Sequence, residues 1–497
     1  MPLSASKDWK ASAQALRYPT QAFINGTFVL AVSGKTFPTI SPIDSQPLVE
    51  IADCGKADVD IAVTCARAAF VDGRWSDLEP AQRKAIMLSF AELIRANADE
   101  LALLVTLEMG KPIDDSLGIE IRATANCFAW YAEAIDKVYD EIAPTGPNTH
   151  ATITREAMGV VAAVVPWNFP LIMAAWKVAP ALAMGNSVIL KPSEETSLSA
   201  LRLAEIGHEA GIPTGVFNVI TGKGPESGEA LGRHMDVDGL FFTGSTRVGK
   251  FYMEYAAQSN LKRIGLELGG KSPNIILSCY RDTEHAARTS ANSAFFNQGE
   301  MCTCPSRLIV EESIYDEVLQ VLADQAKTFV PTHPLTSGAN MGALVSEAHA
   351  NRVGEFVEIA KSKGARLVCG GAQVRVDGQG SYFPPTIFAD VTNDMRIAQE
   401  EVFGPVLVVI KVKDADEAIQ VANATCFGLA SAVWTDDLSV AHKVSRSIRA
   451  GLVYVNCYDC DDMTTPFGGF KESGFGRDKS LHALDKYCEL KTTWMKV

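Results

Sequence analysis

The chain has few basic residues for its length. Its 45 lysines and arginines stand against 59 aspartates and glutamates, which gives a formal net charge of −14 over 497 residues. Basic clusters such as Lys361-Ser362-Lys363 are too small to reverse that sign locally. A protein that attracts phosphates through its surface field needs a basic patch. We therefore expect neither a nucleic acid nor an anionic membrane as a partner.

The sequence also lacks an uninterrupted apolar run long enough to cross a bilayer. The one candidate is residues 159–185, and the residues that break it are Pro166, Asn168, Pro170, Lys177 and Pro180. A lipid-facing helix tolerates such residues poorly, because the hydrocarbon region offers no partner for freed polar groups. The segment is predicted to be buried protein core.

Cysteine is present, but its pattern argues against a disulfide framework. The 11 cysteines are odd in number and irregularly spaced, and the segment Met1–Asp8 carries no apolar signal stretch. Both features favour a reducing cytoplasm. Cys457 and Cys460 form a lone pair without a second pair or histidines at zinc spacing, so no metal is expected.

The order of apolar segments predicts the fold class. A chain of this length is expected to divide into two or more domains. Helical spacing over residues 61–97 and 98–138 predicts an N-terminal helical layer. Strand-length apolar runs then alternate with helices over residues 159–257 and again over 268–411. This alternation predicts an α/β fold with parallel sheets covered by helices, as in dinucleotide-binding proteins.

Cys302 lies in a polar loop that follows an alanine- and serine-rich helical pattern. The loop and its flanks read Phe295-Phe296-Asn297-Gln298-Gly299-Glu300-Met301-Cys302-Thr303-Cys304-Pro305-Ser306-Arg307. A thiol attacks as a thiolate, so a reactive cysteine needs N–H groups, a helix end or a cation to lower its pKa. Arg307 is the candidate cation. Most free cysteines are instead small buried apolar residues, and the loop alone leaves both interpretations open.

Six further segments combine residue types that dinucleotide and acyl chemistry require. They are Pro166–Pro170, Lys191–Glu194, Phe242–Gly249, Leu266–Lys271, Glu401–Pro405 and Pro466–Lys471. Together with the Cys302 loop, and in this order and spacing, they resemble the NAD(P)-dependent aldehyde dehydrogenase superfamily over essentially the whole chain. The resemblance implies two Rossmann-like parallel-sheet domains and a small β oligomerisation element.

The expected domain division follows from this resemblance and from the strand pattern. The NAD-binding domain is residues 1–138 and 159–267, and the catalytic domain is residues 268–481. Residues 139–158 and 482–497 are the bridging strands of a homo-oligomer, either a dimer or a tetramer.

Three catalytic residues are implied. Cys302 is the nucleophile, and Asn168, at the carboxyl end of a predicted strand, donates to the oxyanion together with the Cys302 backbone N–H. Glu267 lies between apolar residues and activates the water that hydrolyses the thioester. None of the 8 histidines lies in a matched motif, so a Cys-His pair is less favoured.

The expected cofactor is NAD. Lys191 and Glu194 suit the ribose hydroxyls, and the carboxylate disfavours the 2′-phosphate of NADP. Gly244 and Ser245 stand between a strand and a helix, where a pyrophosphate can bind. The expected cofactor-binding residues are Val165, Pro166, Trp167, Lys191, Ser193, Glu194, Gly224, Gly228, Phe242, Gly244, Ser245, Val248, Glu267, Leu268, Gly269, Glu401 and Phe403.

The implied substrate tunnel is rich in aromatic rings and sulfur, which suits a flat apolar group. Its expected residues are Phe169, Met173, Trp176, Phe296, Met301, Thr303 and Phe467. Because this set holds no arginine, a semialdehyde that bears a carboxylate is disfavoured. An aromatic aldehyde such as indole-3-acetaldehyde is the first expectation.

The alternative substrate is an ω-aminoaldehyde, either γ-glutamyl-γ-aminobutyraldehyde or guanidinobutyraldehyde. Residues 476–487 and 462–464 resemble the bacterial branch that acts on these compounds. Asp459, Asp461 and Asp462 either attract such a cation or form a solvated loop.

Two rival functions and one redox property complete the expectations. A thiol esterase without a cofactor is the enzymatic rival, and a non-catalytic binding or structural protein is the remote one. Cys304, two residues after Cys302, is predicted to form a disulfide with the nucleophile under oxidation.

Overall fold

The computed structural model describes residues 7–496. Met1–Ser6, most of the N-terminal segment considered above, and Val497, the end of the predicted bridging strand, lie outside the described residues. The α-helices are Trp9–Gln14, Lys56–Val71, Pro80–Ala96, Ala98–Met109, Ile113–Asp115, Arg122–Ala134, Pro170–Ala183, Leu198–Glu209, Glu229–Arg233, Thr246–Ala257, Thr283–Phe295, Tyr315–Ala326, Glu347–Ser362, Arg396–Gln399, Ala415–Asn423 and Leu438–Ser447. The π-helical and 3-10 turns are Ser116–Ile121, Ile135–Lys137, Gly224–Gly228, Phe296–Gly299, Glu312–Ile314, Lys471–Ser473 and Leu481–Tyr487.

The first sheet has eight strands and a parallel centre. In spatial order the strands are Thr27–Val29, Ala22–Ile24, Phe217–Val219, Ser187–Lys191, Val160–Val164, Gly239–Thr243, Arg263–Glu267 and Gly474–Phe475. The five strands from Phe217–Val219 to Arg263–Glu267 are parallel, and the outer strands join them antiparallel. Their carboxyl ends meet at one edge, where α/β proteins place their ligands.

The second sheet has seven strands and is parallel except at one edge. In spatial order they are Arg366–Cys369, Thr386–Ala389, Val406–Val412, Arg307–Glu311, Pro273–Ile276, Ala430–Trp434 and Leu452–Val455. Only the first pairs antiparallel with its neighbour. The predicted α/β class with two parallel sheets is thereby confirmed.

A smaller sheet joins two segments that are distant in sequence. Cys488–Lys496 pairs antiparallel along its whole length with Thr149–Ala157, which also pairs with Glu141–Ile142. Leu490 and Trp494 on the outer strand are about two-thirds exposed. Two hairpins complete the strands: Thr36–Ile40 with Pro47–Ala52, and Val374–Val376 with Gln379–Tyr382.

The apolar run of the strand Val160–Val164 is explained by burial on both faces. Val161 and Ala163 belong to the largest core cluster, together with helical residues such as Phe128, whereas Val160 and Ala162 belong to a second cluster. Side chains alternate along a strand, so a strand covered on both sides must be apolar throughout. Among the described residues, no helix combines the length and apolarity needed to cross a membrane.

The helical layer is more broken than its periodicity predicts. The stretch 61–97 is two helices separated at residues 72–79, and the stretch 98–138 ends its first helix at Gly110, whose φ is 93°. Periodicity does not distinguish one long helix from two that present the same apolar face. Within the alternating stretch 159–257, the helix Glu229–Arg233 is preceded by a π-helical turn, Gly224–Gly228.

The N-terminal strands were not predicted. Ala22–Ile24 and Thr27–Val29 extend the first sheet, and the turn between them uses Asn25 and Gly26 at positive φ. Asn-Gly between short apolar runs is a hairpin signal. At the other edge Gly474–Phe475, from the expected catalytic domain, pairs with Leu266 and Glu267. The proposed domain boundaries therefore do not coincide with sheet membership at this point.

Candidate active site

The loop that carries Cys302 is turned by three consecutive left-handed residues. Asn297, Gln298 and Gly299 have φ values of 47°, 57° and 70°. A Cβ at Gly299 would lie 2.2 Å from the carbonyl oxygen of Gly404. Glycine is required there because both the conformation and the close approach exclude a side chain.

Side-chain hydrogen bonds hold the two non-glycine residues of this turn. Asn297 Nδ2 donates to the carbonyl oxygens of Glu300 at 3.2 Å and Asn168 at 3.3 Å. Gln298 Oε1 accepts from the Gly342 N–H at 3.0 Å. These bonds offset the strain of the left-handed backbone, so the nucleophile loop is fixed against neighbouring segments.

Cys302 is half-buried and lines two cavities at once. One has a volume of about 810 Å³ and is walled by aromatic and sulfur-containing side chains. The other has about 220 Å³ and adjoins the carboxyl edge of the first sheet through Thr243 and Glu267. We call them the substrate-side and the cofactor-side cavity. A thiol shared by both reaches molecules bound in either.

Asn168 lies between the strand Val160–Val164 and the helix Pro170–Ala183. It is buried, and its Nδ2 donates to the Glu300 carbonyl oxygen at 2.9 Å. This bond links Asn168 to the Cys302 loop. Because a side-chain amide has two N–H groups, one donor remains for a ligand.

Glu267 is the last residue of the strand Arg263–Glu267. It is 5% exposed, and neither carboxylate oxygen accepts a hydrogen bond from the described residues. Burial, and the nearby charge of Asp478, raise the pKa of Glu267 well above its usual range. A carboxyl group whose pKa is raised in this way suits proton transfer, because it is a stronger base than an ordinary glutamate. Lys271, four residues further along the chain, forms no ion pair with Glu267, since Lys271 Nζ also has no hydrogen-bond partner in residues 7–496.

The electrostatic expectation for Cys302 is wrong. Burial and the carboxylates of Glu401 and Glu267 raise the pKa of the thiol. The charge of Arg307 is not among the causes that act on this thiol, and its guanidinium donates to the carbonyl oxygens of Lys271, Val421 and Ala422, at 2.9 to 3.0 Å. Arg307 is fully buried and ties chain segments together. The thiol therefore depends on a base to lose its proton.

Part of the expected cofactor set lines the cofactor-side cavity. Its members there are Pro166, Trp167, Gly244, Ser245, Glu267, Leu268, Gly269, Glu401 and Phe403. The others lie outside the cavity wall: Val165, Lys191, Ser193, Glu194, Gly224, Gly228, Phe242 and Val248.

Several of the outer residues form a second group. Lys191 is buried, and its Nζ lies 3.7 Å from Glu194 Oε2. A Cβ at Gly228 would lie 2.9 Å from the Tyr252 hydroxyl and 3.9 Å from the Lys191 side chain. A buried ammonium beside a half-exposed carboxylate offers both a donor and an acceptor, which is what a ribose requires.

The residues between the two groups fit a dinucleotide. Ser245 caps the 12-residue helix Thr246–Ala257, whose first-turn N–H groups favour a phosphate. The buried Thr243 hydroxyl has no partner among the described residues. A Cβ at Gly269 would lie 2.3 Å from Glu401 Oε2, so glycine keeps this wall open. NAD would be held by Lys191 and Glu194 at one end and by Glu401 and Phe403 at the other.

All seven expected substrate residues line the substrate-side cavity. They are Phe169, Met173, Trp176, Phe296, Met301, Thr303 and Phe467. The rings of Trp176 and Phe467 have centroids 4.9 Å apart, and those of Phe169 and Phe296 are 6.4 Å apart. The rings of both pairs are tilted against each other, by 58° and 31°, so the wall is aromatic but not flat.

The outer part of this cavity was largely missed. It is also lined by Ile119, Arg122, Asn126, Trp130 and Tyr454, and by Asp459, Asp461 and Asp462 of the polar loop. The expected set of seven holds no arginine, but Arg122, the first residue of the helix Arg122–Ala134, also lines the cavity. Nothing local in the sequence distinguishes Arg122, Asn126 and Trp130 from an ordinary helix surface.

His349 and Arg352 on the cofactor side were also missed. Both lie in the first half of the helix Glu347–Ser362, which carries no glycine motif. The helix was not recognised as part of the site, because only the fold brings it beside Trp167 and Phe403.

Cys304 does not share the position of Cys302. It is buried among apolar residues of the second sheet, and its thiol lies 3.6 Å from the Ala294 carbonyl oxygen. It lines neither of the two cavities. A disulfide with Cys302 stays a prediction that requires the loop to rearrange. No cluster of three metal-ligating side chains occurs in residues 7–496.

Comparisons with known proteins agree over nearly the whole chain. Residues 28–493 match the model of the aldehyde dehydrogenase family. The chain is 50% identical to the NADP/NAD-dependent aldehyde dehydrogenase PuuC of Escherichia coli strain K12, over 98% of each chain.

Two solved structures superpose closely. The C302A mutant of the P. syringae indole-3-acetaldehyde dehydrogenase AldA, in complex with NAD⁺ and IAA, is 54% identical with a TM-score of 0.98, over 99% of each chain. The γ-glutamyl-γ-aminobutyraldehyde dehydrogenase from Burkholderia cenocepacia J2315 is 53% identical with a TM-score of 0.97, over 98% of this chain and 99% of that one. The chain therefore belongs to the aldehyde dehydrogenase family and is an NAD-dependent oxidoreductase that acts on aldehydes.

Proposed function

We propose that Cys302, Asn168 and Glu267 oxidise an aldehyde in two stages. Cys302 Sγ adds to the carbonyl carbon, and the Asn168 amide and the Cys302 N–H stabilise the oxyanion. NAD, when bound, accepts the hydride, and the carbonyl carbon remains attached to Cys302 as a thioester. The observation that carries this proposal is that Cys302 is shared by the substrate-side and the cofactor-side cavities.

Glu267 is the proposed base of both stages. It lines the cofactor-side cavity beside Cys302, and its two oxygens accept no hydrogen bond from the described residues. It takes the proton of the thiol before attack, which the raised pKa of Cys302 makes necessary. After that proton has passed to solvent, Glu267 takes a proton from the water that attacks the thioester; the carboxylic acid leaves, and Cys302 Sγ departs as a thiolate that takes the proton back from Glu267.

The first proposed substrate is an aldehyde with an aromatic or apolar body, such as indole-3-acetaldehyde. The lining of the substrate-side cavity supports it, because Phe169, Trp176 and Phe467 line the same cavity as Cys302. Offset or edge contacts between rings stabilise such a ligand beyond simple burial. One of the similar solved structures bears the name of an indole-3-acetaldehyde dehydrogenase.

The second candidate is an ω-aminoaldehyde. Its support comes from the mouth of the same cavity, where Asp459 and Asp462 have no cationic partner among the described residues, whereas Asp461 pairs with Lys479. Unpaired carboxylates at a mouth attract a cation. A solved relative is named for γ-glutamyl-γ-aminobutyraldehyde.

A steady-state comparison of three aldehydes tests these proposals. Indole-3-acetaldehyde, an ω-aminobutyraldehyde and a plain alkanal are compared by kcat/KM at fixed NAD. The first proposal expects the aromatic aldehyde to lead by at least tenfold over the alkanal, on the order of one ring contact. A lead of the cationic aldehyde replaces it with the second candidate. NAD-independent ester cleavage without any aldehyde oxidation would support the thiol esterase. Absence of any turnover would support the non-catalytic protein.

We further propose that the chain forms a homo-oligomer. The strand Cys488–Lys496 has one paired edge, with Thr149–Ala157, and exposes Leu490, Trp494 and Met495. Such an edge is an aggregation hazard unless another chain covers it. Light scattering after size exclusion distinguishes a dimer from a tetramer, and a monomer at micromolar concentration contradicts the proposal.

A further inference from the structure

His349 forms part of the cofactor-side cavity without belonging to any motif. It is the third residue of the helix Glu347–Ser362, and its N–H donates to the capping Ser346 hydroxyl at 3.3 Å. Its imidazole lines the cavity together with Glu267, Cys302 and Glu401. The proposed chemistry assigns no task to this ring.

The imidazole restrains the backbone of Phe403. His349 Nε2 lies 2.7 Å from the Phe403 carbonyl oxygen. A carbonyl oxygen only accepts, so Nε2 carries the hydrogen and donates it. Phe403 has φ of 58°, in the left-handed region that a phenylalanine rarely adopts. Such a conformation costs free energy and persists only where neighbouring groups hold it.

The same imidazole packs into a group of three rings. Trp167 stands edge-on to Phe403, with centroids 5.2 Å apart at 90°, and edge-on to His349, with centroids 5.3 Å apart at 65°. His349 therefore contacts Trp167 through its ring and Phe403 through a hydrogen bond. Both of these residues also line the cavity, so the orientation of the wall depends on this histidine.

His349 performs this task as a neutral donor. Burial, with Arg352 nearby, lowers the pKa of His349 to about 4. Glu300 Oε1 lies 3.7 Å from His349 Nε2, and burial raises the pKa of Glu300 well above its usual range. The pair therefore forms no ion pair near pH 7, and the ring offers no cation to a phosphate.

We infer that His349 is a positioning residue that holds Phe403 in its left-handed conformation and so preorganises the wall against which the cofactor binds. The inference rests on the NAD-dependent oxidation proposed above. It assigns no chemical step to His349. Removing the hydrogen bond frees Phe403 to relax, and the cofactor must then order the wall as it binds, which lowers affinity.

Two substitutions at this position separate the hydrogen bond from the volume of the ring. His349→Leu removes the donor and keeps an apolar side chain, whereas His349→Gln places an amide N–H near the position of Nε2. His442→Leu is the matched control, because His442 is exposed on the distant helix Leu438–Ser447. Thermal unfolding of all three variants and the wild type reports whether each folds.

The primary measurement is the Kd of NADH, read from quenching of tryptophan fluorescence, together with the KM for NAD and kcat. We expect His349→Leu to raise the Kd and the KM for NAD about tenfold, the value of one lost hydrogen bond. His349→Gln should stay within about threefold of the wild type, and His442→Leu should be unchanged. The KM for the aldehyde should not move in any variant.

Each result decides the inference. A folded His349→Leu variant that binds NADH as the wild type does overturns it, and so does a Gln variant as weak as the Leu variant. If the His349→Leu variant does not fold, the inference is tested by the NADH affinities of His349→Gln and the wild type and by the pH dependence of those affinities. If His349 is a neutral donor, the NADH affinities of the wild type and of His349→Gln vary in parallel between pH 6 and 9. An affinity that rises on acidification in the wild type alone contradicts the inference. Wild type that binds no NADH would instead refute the proposed function.

Discussion

The two cavities that meet at Cys302 are built from different parts of the chain. The cofactor-side cavity is walled mainly by turns after strands, where Gly244, Gly269 and Glu267 follow or end buried segments. The substrate-side cavity is walled by side chains of the helices Arg122–Ala134 and Pro170–Ala183 and by loops near residues 301 and 460.

This difference explains why one cavity has a clear sequence signature and the other does not. A backbone that must approach a dinucleotide needs glycine at fixed positions, and a carboxylate at a strand end needs a defined register. An aromatic wall needs only large side chains that face inwards, and helices supply these at many positions. The cofactor side is therefore constrained by the backbone, whereas the substrate side is constrained by side-chain identity.

Cys302→Ala should have the largest effect, because it removes the thiol that lines both cavities. We expect kcat for aldehyde oxidation to fall by at least about 10⁴-fold, the scale seen when a nucleophile is removed. The NADH Kd should stay within about twofold, since the cofactor-side wall keeps its shape. NADH formation and NADH binding are measured on the same preparation, and retained turnover would sink the assignment.

Glu267→Gln tests the proposed base, which lines the cofactor-side cavity together with Cys302. We expect kcat to fall about 10²- to 10³-fold, as for the loss of a general base. Because burial raises the pKa of Glu267, wild-type kcat should increase with pH as the carboxyl loses its proton, above the usual range of a glutamate.

The same variant gives a sharper readout in its pH profile. The increase of kcat with pH should disappear in Glu267→Gln, because the amide does not titrate. A stopped-flow and steady-state pH series measures both proteins. An unchanged rising limb in the variant would show that another group is the base.

Trp176→Ala changes the wall of the substrate-side cavity only. We expect the KM for indole-3-acetaldehyde to rise about tenfold through loss of ring contact and buried area. The KM for NAD should not change, because Trp176 does not line the cofactor-side cavity. A plain alkanal, which lacks a ring, is the control substrate and should lose less. Equal losses for both aldehydes would mean that the wall acts only through volume.

Asp459→Asn should have the smallest effect and tests charge at the mouth. We expect kcat/KM for an ω-aminoaldehyde to fall about threefold, in keeping with one solvent-screened ion pair, and that for a neutral aldehyde to stay unchanged. Asp461→Asn is the matched control, because Lys479 already pairs with Asp461. Adding salt should reduce the difference between wild type and Asp459→Asn. Equal effects of the two substitutions contradict a specific role for Asp459.

Much of the fold was predictable because its signals are local. Burial on both faces forces a strand such as Val160–Val164 to be apolar, and that run was visible in the sequence. The hairpin that contains Asn25 and Gly26 was visible as well but was not recognised. The breaks in the helical layer were signalled by Gly73, Pro80 and Gly110 but were not recognised, because apolar periodicity alone does not separate two helices that share one apolar face.

The site was predictable where chemistry restricts the residue type and not where packing alone decides. Cys302, Asn168 and Glu267 were found through motifs, and the structure brings them around one thiol. Arg307 was misjudged, because its spacing from Cys302 along the chain says nothing about where its guanidinium points. Arg122 and His349 were missed, since each joins the site from a helix distant in sequence.

The sequence by itself determined the class of fold and the family, and it identified the proposed nucleophile, the proposed base and the candidate dinucleotide edge of the first sheet, because each requires a residue type at a fixed distance along the chain. Only the tertiary structure decided the charge around the nucleophile and the composition of the cavity mouth. It also decided the hydrogen bond from His349 to Phe403. These depend on burial and on contacts between segments far apart in sequence, and a linear pattern does not encode the dielectric or the direction of a side chain.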